Sequence, residues 1–451
     1  MTRMRLKSAW EKLREDGIDV FFRGASHSMV VSFLAAGVGF LSTLVLTRSM
    51  GAESYGLYVY VLSWMTVASL TSQLGFKPVL LRFISSYTAT EQWSLARGVI
   101  SHTTAISIAT SIAVGGVGAL IVWLARNDID TSKVDAFYVG FPLVVLITIA
   151  SLRGAALTAL KRVVLGAVPE TIIRPILVAL GVAIYAQFAT SEVSATAALA
   201  VNFCATLVVF VIGTILLIRV LPQPIRSARA EYSRREWWRM SLPMFFSVGM
   251  KLILQQADII VVGSLLGVAE AGVYAVASRL AAFTILGKRA ADSIVAPMIA
   301  EFYATQERLK LSKLVIVSAR TVTAFTLAAA LGLLVLGPFL LGLFGSEFRQ
   351  GYAVMSLLLL GHFFKASFAS AGFLLSMTGH QDQTAIVSAV CAAINVVLLF
   401  LLVPEFGLIG AGLAAAITNA IWSSLLALYA WKLLGINATA FARIPQVADG
   451  K

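Results

Sequence analysis

Eight cations stand in apolar surroundings: Arg153, Arg174, Lys251, Arg279, Lys288, Arg289, Arg320 and Lys365 each fall within, or at the edge of, a long hydrophobic run. An ionisable side chain at the centre of a bilayer costs at least ~2.5 kcal/mol on insertion scales, so each needs an acid, water or a bound anion. At about 1.5 Å of rise per residue, Lys251 lies about 16 Å, Arg279 about 12 Å and Lys365 about 18 Å along its helix. All three therefore fall near the midplane of the second half of the chain. Cations at one depth repel in low dielectric unless they face water or an anion. This makes Lys251, Arg279 and Lys365 the first candidates for holding an anionic ligand. Arg174 and Arg153 are the corresponding candidates in the first half.

Acids at helical spacing offer some cations a purely structural explanation. Glu170 and Arg174 are one turn apart, as are Lys288 or Arg289 and Asp292. Lys251, Gln255 and Asp258 recur at four and then three residues, one stripe that has to point inward. Asp258 is the candidate for coupling to H⁺ or Na⁺, with an ion pair as its alternative. His362 reads as a hydrogen-bonded interior group, and Gln73, Gln187, Asn202, Asn395 and Asn419 as interhelical hydrogen-bonding residues. Arg48 and Arg82, at helix ends, are candidates for a cavity mouth. The four histidines lack metal-ligand spacing, no glycine-rich phosphate loop follows a strand pattern, and Cys204 and Cys391 sit in apolar runs as packing groups. Neither a metal nor a cofactor is expected.

The elements that carry these residues are membrane spans. The 451-residue chain is 59% hydrophobic and 13% charged, with a mean hydropathy of +0.88. Runs of about 20 apolar residues recur along its length, each enough to cross a hydrocarbon core about 30 Å thick. Twelve spans are expected, roughly 27–47, 56–76, 98–124, 137–158, 166–189, 195–218, 241–263, 271–293, 315–343, 353–378, 384–403 and 408–431. The first run is too long for a cleaved signal peptide, and residues 8–22 suit a short helix on the membrane surface. Most of the 35 basic residues fall in segments that alternate with those holding only Arg48, Arg126, Lys133 and Arg349. Both termini are then cytoplasmic, and the net charge of +13 reflects topology and interior cations rather than nucleic-acid binding.

The chain repeats itself. Gly51-Ala-Glu-Ser-Tyr-Gly56-Leu-Tyr58 matches Gly267-Val-Ala-Glu-Ala-Gly272-Val-Tyr274, and a similar offset of about 217 residues relates Pro78 and Phe83 to Pro297 and Phe302, and Asn202 to Asn419. With six helices per repeat, both halves enter the membrane in one direction, as two lobes around a central cavity. The expected divisions are a cytoplasmic amphipathic segment (1–26), an N-lobe (27–218), a basic linker (219–240), a C-lobe (241–432) and a cytoplasmic tail (433–451). The repeated glycines predict tight interhelical turns.

The segments Thr47-Arg-Ser-Met-Gly-Ala-Glu-Ser-Tyr-Gly-Leu-Tyr58 and Gly75-Phe-Lys-Pro-Val-Leu-Leu-Arg-Phe83 resemble the opening of the Wzx-type polysaccharide flippases. The later stretch from Ala392 through Asn395, Pro404 and Gly407 to Gly412 is similar to the pattern closing the multidrug/oligosaccharidyl-lipid/polysaccharide exporter superfamily, which includes MurJ and the MATE antiporters. The resemblance implies an all-α protein of about twelve transmembrane helices in the bacterial inner membrane, two six-helix lobes in a V, working by alternating access. It further implies a substrate such as an undecaprenyl-diphosphate oligosaccharide, whose diphosphate the interior cations would meet, with a polymerase and glycosyltransferases as associated proteins. A MATE-type antiporter is the alternative, but it should present acids to its cargo. A catalytic role is not expected, because no loop approaches the size of a soluble domain and the outer acids in Asn127-Asp-Ile-Asp130 have no catalytic spacing.

Overall fold

A computed structural model describes residues 18–189, 192–368 and 370–443. Every regular element among them is helical, as a lipid-embedded chain with no water for its backbone requires. The principal helices are α1 (Ile18–Gln73), α2 (Phe76–Ala89), α3 (Trp93–Leu124), α4 (Thr131–Ala159), α5 (Val163–Val168), α6 (Arg174–Phe188), α7 (Ala195–Val220), α8 (Arg234–Leu265), α9 (Val268–Ala281), α10 (Leu286–Ala304), α11 (Arg308–Phe344), α12 (Tyr352–Ser367), α13 (Ala371–Met377) and α14 (Gln381–Leu434). Among the described residues, nine helices are long and apolar enough to cross a membrane, or ten when the bent Ser346–Ser367 and Ala371–Met377 pair is one span. Two of these, α1 and α14, are each a pair of spans joined through non-helical glycine, Gly51 and Gly407. The described residues thus make about twelve passes, as the sequence predicts. The proposed surface segment lies largely outside the described residues, as does the tail from residue 444.

Core packing shows how the lobes meet. At the Gly51 end one continuous core crosses between them, bringing Met50, Tyr55 and Tyr58 together with Tyr274, Val276, Phe344 and Phe348. At the opposite end the core divides, one cluster around Phe76, Leu80, Ile84 and Trp237, another around Ile299, Val315, Leu374 and Leu426. The lobes are therefore fused at one end and separate at the other, the V that the sequence implied.

Only half of the glycine expectation holds. Gly51 (φ +70°) and Gly267 (φ +129°) do occupy turn conformations that side chains disfavour. Gly56 and Gly272, however, form the contact between the lobes. A methyl group on Gly56 would overlap the Val268 carbonyl, and one on Gly272 would lie 2.8 Å from the Ala52 oxygen and 2.9 Å from Gly56 Cα. The two copies of the repeat thus meet each other backbone to backbone. Hydrogen bonds flank this contact: Arg48 donates to the Leu343 carbonyl at 2.5 Å, the Ala52 amide to Glu347 at 2.9 Å, and the hydroxyls of Tyr60 and Ser264 are 3.0 Å apart.

The lobe boundary also differs from the sequence reading. The helix expected to open the C-lobe starts at Arg234, and its first turns belong to the N-lobe base. Trp237 is fully buried there, its indole donating to Tyr87 at 3.2 Å, and the Ser241 hydroxyl bonds the Leu74 carbonyl. Segments following each lobe are clasped alike. Arg97 holds the carbonyls of Arg226 and Ala228, and Arg320 holds those of Ala440 and Ala442 at 3.0 and 2.8 Å. Arg320 is therefore a structural cation, and residues 436–442 are packed on the C-lobe, with Ile436, Ala438, Ala440 and Ala442 buried.

The glycine contact predicts that Gly56→Ala forces the lobes apart at the fused end, since overpacking costs about 1–3 kcal/mol and the obstructing atoms are backbone. In protein lacking Cys204 and Cys391, a cysteine introduced by Ala52→Cys, a position only 6% exposed, should resist an impermeant maleimide. It should label several-fold faster once Gly56→Ala is added.

Candidate functional site

The site is built around a break in one helix. Between α5 and α6, Pro169–Ile173 forms a π turn, with the Arg174 amide bonded to the Pro169 carbonyl five residues back. Pro175 follows with no N–H to continue the ordinary ladder. Such insertions rotate the following side chains and recur at functional positions. Here the turn carries Glu170, Thr171 and Arg174.

Those three residues line two adjoining cavities. One, of about 570 Å³, lies between the lobes: Ser32, Ala35 and Ala36 of α1 and Arg174 of the N-lobe face Arg279 and Arg289 of the C-lobe. The other, of about 680 Å³, extends past Ser151 and Thr158 to Lys77 and to Val248 of α8. Together the walls present Lys77, Arg174, Arg279 and Arg289 against the single acid Glu170. Arg279 and Arg289 are exposed, and neither has a carboxylate within ion-pair distance among the described residues. An excess of cations in a polar recess can hold a multiply charged anion, phosphate groups above all.

Sequence depth did not predict which cations converge. Of Lys251, Arg279 and Lys365, only Arg279 lines these cavities. Lys251 is exposed on α8. Lys365 turns into the C-lobe, its ammonium 5.0 Å from the Trp422 ring centre and near Lys288, Arg289 and Asp292. Lys288 takes Asp292 as its partner at 2.6 Å, leaving Arg289 to the cavity. Arg153 is turned into the N-lobe: 6% exposed, it reaches Glu170 at 3.1 Å and the Phe210 carbonyl at 2.7 Å. Arg174 keeps a looser 3.8 Å approach to the same acid and remains in the cavity wall. Of the two mouth candidates, Arg48 ties the fused end shut, while Arg82 at the open end reaches Met240 Sδ at 3.8 Å. His362 is hydrogen-bonded inside the lobe, to the Thr284 hydroxyl at 3.0 Å and near the Ala281 carbonyl.

Asp258 occupies a separate place inside the C-lobe. Its Oδ2 accepts from the Tyr274 hydroxyl at 2.6 Å, and no cation pairs with it among the described residues. Its Oδ1 is buried without a hydrogen bond, and so is Asn395 Oδ1; the Asn395 side chain lies beside the carboxylate and reaches the Thr418 hydroxyl at 3.4 Å. Oxygen acceptors gathered around one carboxylate suit a proton or a small hard cation. Asn395 links two helical segments, as expected, and also lies beside Asp258. Asn202 fills the linking role as well, bonding Tyr58 at 2.8 Å and Thr206 at 3.1 Å.

The pattern shared by polysaccharide biosynthesis proteins matches residues 21–303. The chain belongs to that family. A curated relative, the probable low-salt glycan biosynthesis flippase Agl15 of Haloferax volcanii, is 24% identical over 181 residues, 40% of this chain and 38% of that protein; the chain thus matches well under half of that relative's length. The fold is that of the exporter superfamily. The lipid II flippase MurJ in an inward closed conformation superposes with a TM-score of 0.71 at 15% identity, covering 89% of this chain and 87% of that one. An inward-facing MATE-family multidrug transporter gives 0.69 at 15% identity, covering 90% and 94%.

If Arg153 braces the lobe, Arg153→Ala should lower the melting temperature of the purified protein, because it removes a buried guanidinium that bonds both Glu170 and the Phe210 carbonyl. Arg153→Ala/Glu170→Ala should recover part of the loss. An unchanged melting temperature combined with lost transport would instead place Arg153 against the ligand.

Proposed function

We propose that this protein flips a polyprenyl-diphosphate-linked oligosaccharide across the bacterial inner membrane, from the cytoplasmic to the outer leaflet, without catalysing a covalent step. The observation that carries the reading is the cationic recess between the lobes, where Arg279 and Arg289, with Arg174 only loosely held by Glu170, can meet a diphosphate. The positive-inside count assigns the separated ends of the lobes to the cytoplasm, so the recess opens toward the side on which such a lipid is assembled. The sugar would occupy the larger part, where Ser151, Thr158 and Thr171 offer hydroxyls, and the prenyl chain would remain in lipid.

Asp258 is the proposed coupling residue. A proton or Na⁺ there would neutralise a carboxylate buried in the C-lobe, away from the diphosphate, so cargo and coupling ion would not compete for one place. An antiporter for cationic drugs fits less well, since the recess holds one acid among four cations. Glycosyltransferases that build the lipid-linked sugar and a polymerase that consumes it are the proposed functional partners.

In cells that depend on this gene for surface polysaccharide, Arg174→Ala, Arg279→Ala and Arg289→Ala should each reduce export about tenfold or more at normal protein abundance, the scale of one charge-assisted contact. Full export by all three would end the headgroup assignment. For Asp258→Asn, transport measured over a range of Na⁺ concentration and pH should lose its dependence on one of them; an unaltered response to both would remove Asp258 as the coupling residue.

A further inference from the structure

Gly39 sits under Arg279, an exposed cation of the recess. Ser32, Ala35, Ala36, Gly39 and Thr43 follow at helical spacing along one face of α1. The first three line the cavity; the Thr43 hydroxyl bonds the Gly39 carbonyl at 2.9 Å. A methyl group on Gly39 would overlap an Arg279 terminal nitrogen and lie 3.0 Å from its guanidinium carbon. Arg279 comes from α9 of the other lobe. Its guanidinium therefore lies in the notch left by the missing side chain, across the backbone of α1.

The neighbours define what this position does. Next along α1, Phe40 packs edge-on against Phe283 and Phe344 at 5.9 and 5.3 Å between ring centres, inside the core that joins the lobes. Arg279 thus marks the upper limit of the recess, where the wet cavity gives way to packed seam. By contrast, Gly37, on the same helix, has nothing within 4 Å of an added methyl. The requirement for a bare backbone is local to Gly39.

We propose that Gly39 is a positioning residue: by leaving room for Arg279 to lie across α1, it holds that guanidinium over the cavity in the pose that receives an anionic headgroup. This rests on the proposed diphosphate contact, and it adds a residue of the opposite lobe that no charge or hydrogen-bonding argument would select. Adding a methyl group moves a flexible side chain rather than backbone, so the fold is retained while the charge is displaced.

The test uses the full chain purified in detergent, with farnesyl diphosphate as probe and binding measured by calorimetry. Gly39→Ala should weaken binding about tenfold or more, with Gly37→Ala within about twofold of the native protein. In an Arg279→Ala background, Gly39→Ala should change nothing further, because the group it positions is gone; a purely structural effect would weaken binding again. Native affinity in Gly39→Ala, or additive losses in the double variant, would overturn the proposal. If Arg279→Ala itself binds normally, it is the diphosphate reading that fails. Should Gly39→Ala not accumulate, accumulation of Gly39→Ala/Arg279→Ala would report the same contact, and failure of both would overturn it.

Discussion

A guanidinium or ammonium in a bilayer has to be solvated by something, and the structure can be read as a set of answers to that demand. Arg153 is answered by Glu170 and a carbonyl of α7, Lys288 by Asp292, Arg320 by two carbonyls of the C-terminal segment, and Arg48 by the carbonyl end of α11. Each of these is an internal pairing that leaves the charge no work to do. Arg279 and Arg289 have no such partner, and Arg174 shares its acid with a closer competitor. What solvates those three is the recess itself. The cavity is consequently a condition for the sequence to be tolerated in a membrane at all.

The internal repeat supplies the frame, and departures from it supply the chemistry. Gly51 and Gly267 turn the chain at equivalent points, Gly56 and Gly272 meet at the seam, and Arg97 and Arg320 clasp the segments that leave each lobe. In all these the halves behave alike. They differ at the repeated tyrosine: Tyr58 bonds the neutral Asn202, whereas Tyr274 bonds the carboxylate of Asp258. They differ again in the π turn of Pro169–Ile173, which is in the N-lobe. A duplicated scaffold has thus taken up a buried acid on one side and a displaced helical register on the other.

How much was legible in sequence follows from the same distinction. The spans and the twofold organisation could be read because hydropathy and periodicity extend over many residues; the meeting of Gly56 and Gly272 across the lobes could not, since the glycines signal only bare backbone. Depth along a helix was legible too, since it is a count of residues. Direction around the helix was not. Arg279 and Lys365 share a depth, yet one opens into the recess and the other lies against Trp422. Lys288 and Arg289 were equally plausible partners for Asp292, and a rotation of about 100° separates the one that pairs from the one that lines the cavity. Glu170 looked committed to Arg174, one turn away; the nearer claimant, Arg153, comes from another helix, where sequence spacing carries no signal. The clue left unread was the pair of prolines, Pro169 and Pro175, bracketing that acid and base. The same limit hid Asn395, which sequence could mark as polar but could not place beside Asp258.

The separation of the acid from the cations has a mechanical consequence. Asp258 is distant in character from the recess, yet Tyr274, which donates to it, is fully part of the core that fuses the lobes, alongside Tyr55, Tyr58 and Phe344. Arg279 lies at the other margin of that same core, over Gly39, whose neighbour Phe40 packs on Phe283 and Phe344. In the proposed cycle, a positive charge added at Asp258 would weaken the need for the Tyr274 hydrogen bond, and an anion beneath Arg279 would compete with its hold on α1. Both events act on one packed seam whose closest contact is backbone against backbone, with no side chains to cushion a shift. A seam of that kind is either closed or parted, which is what alternating access between two sides of a membrane requires of it.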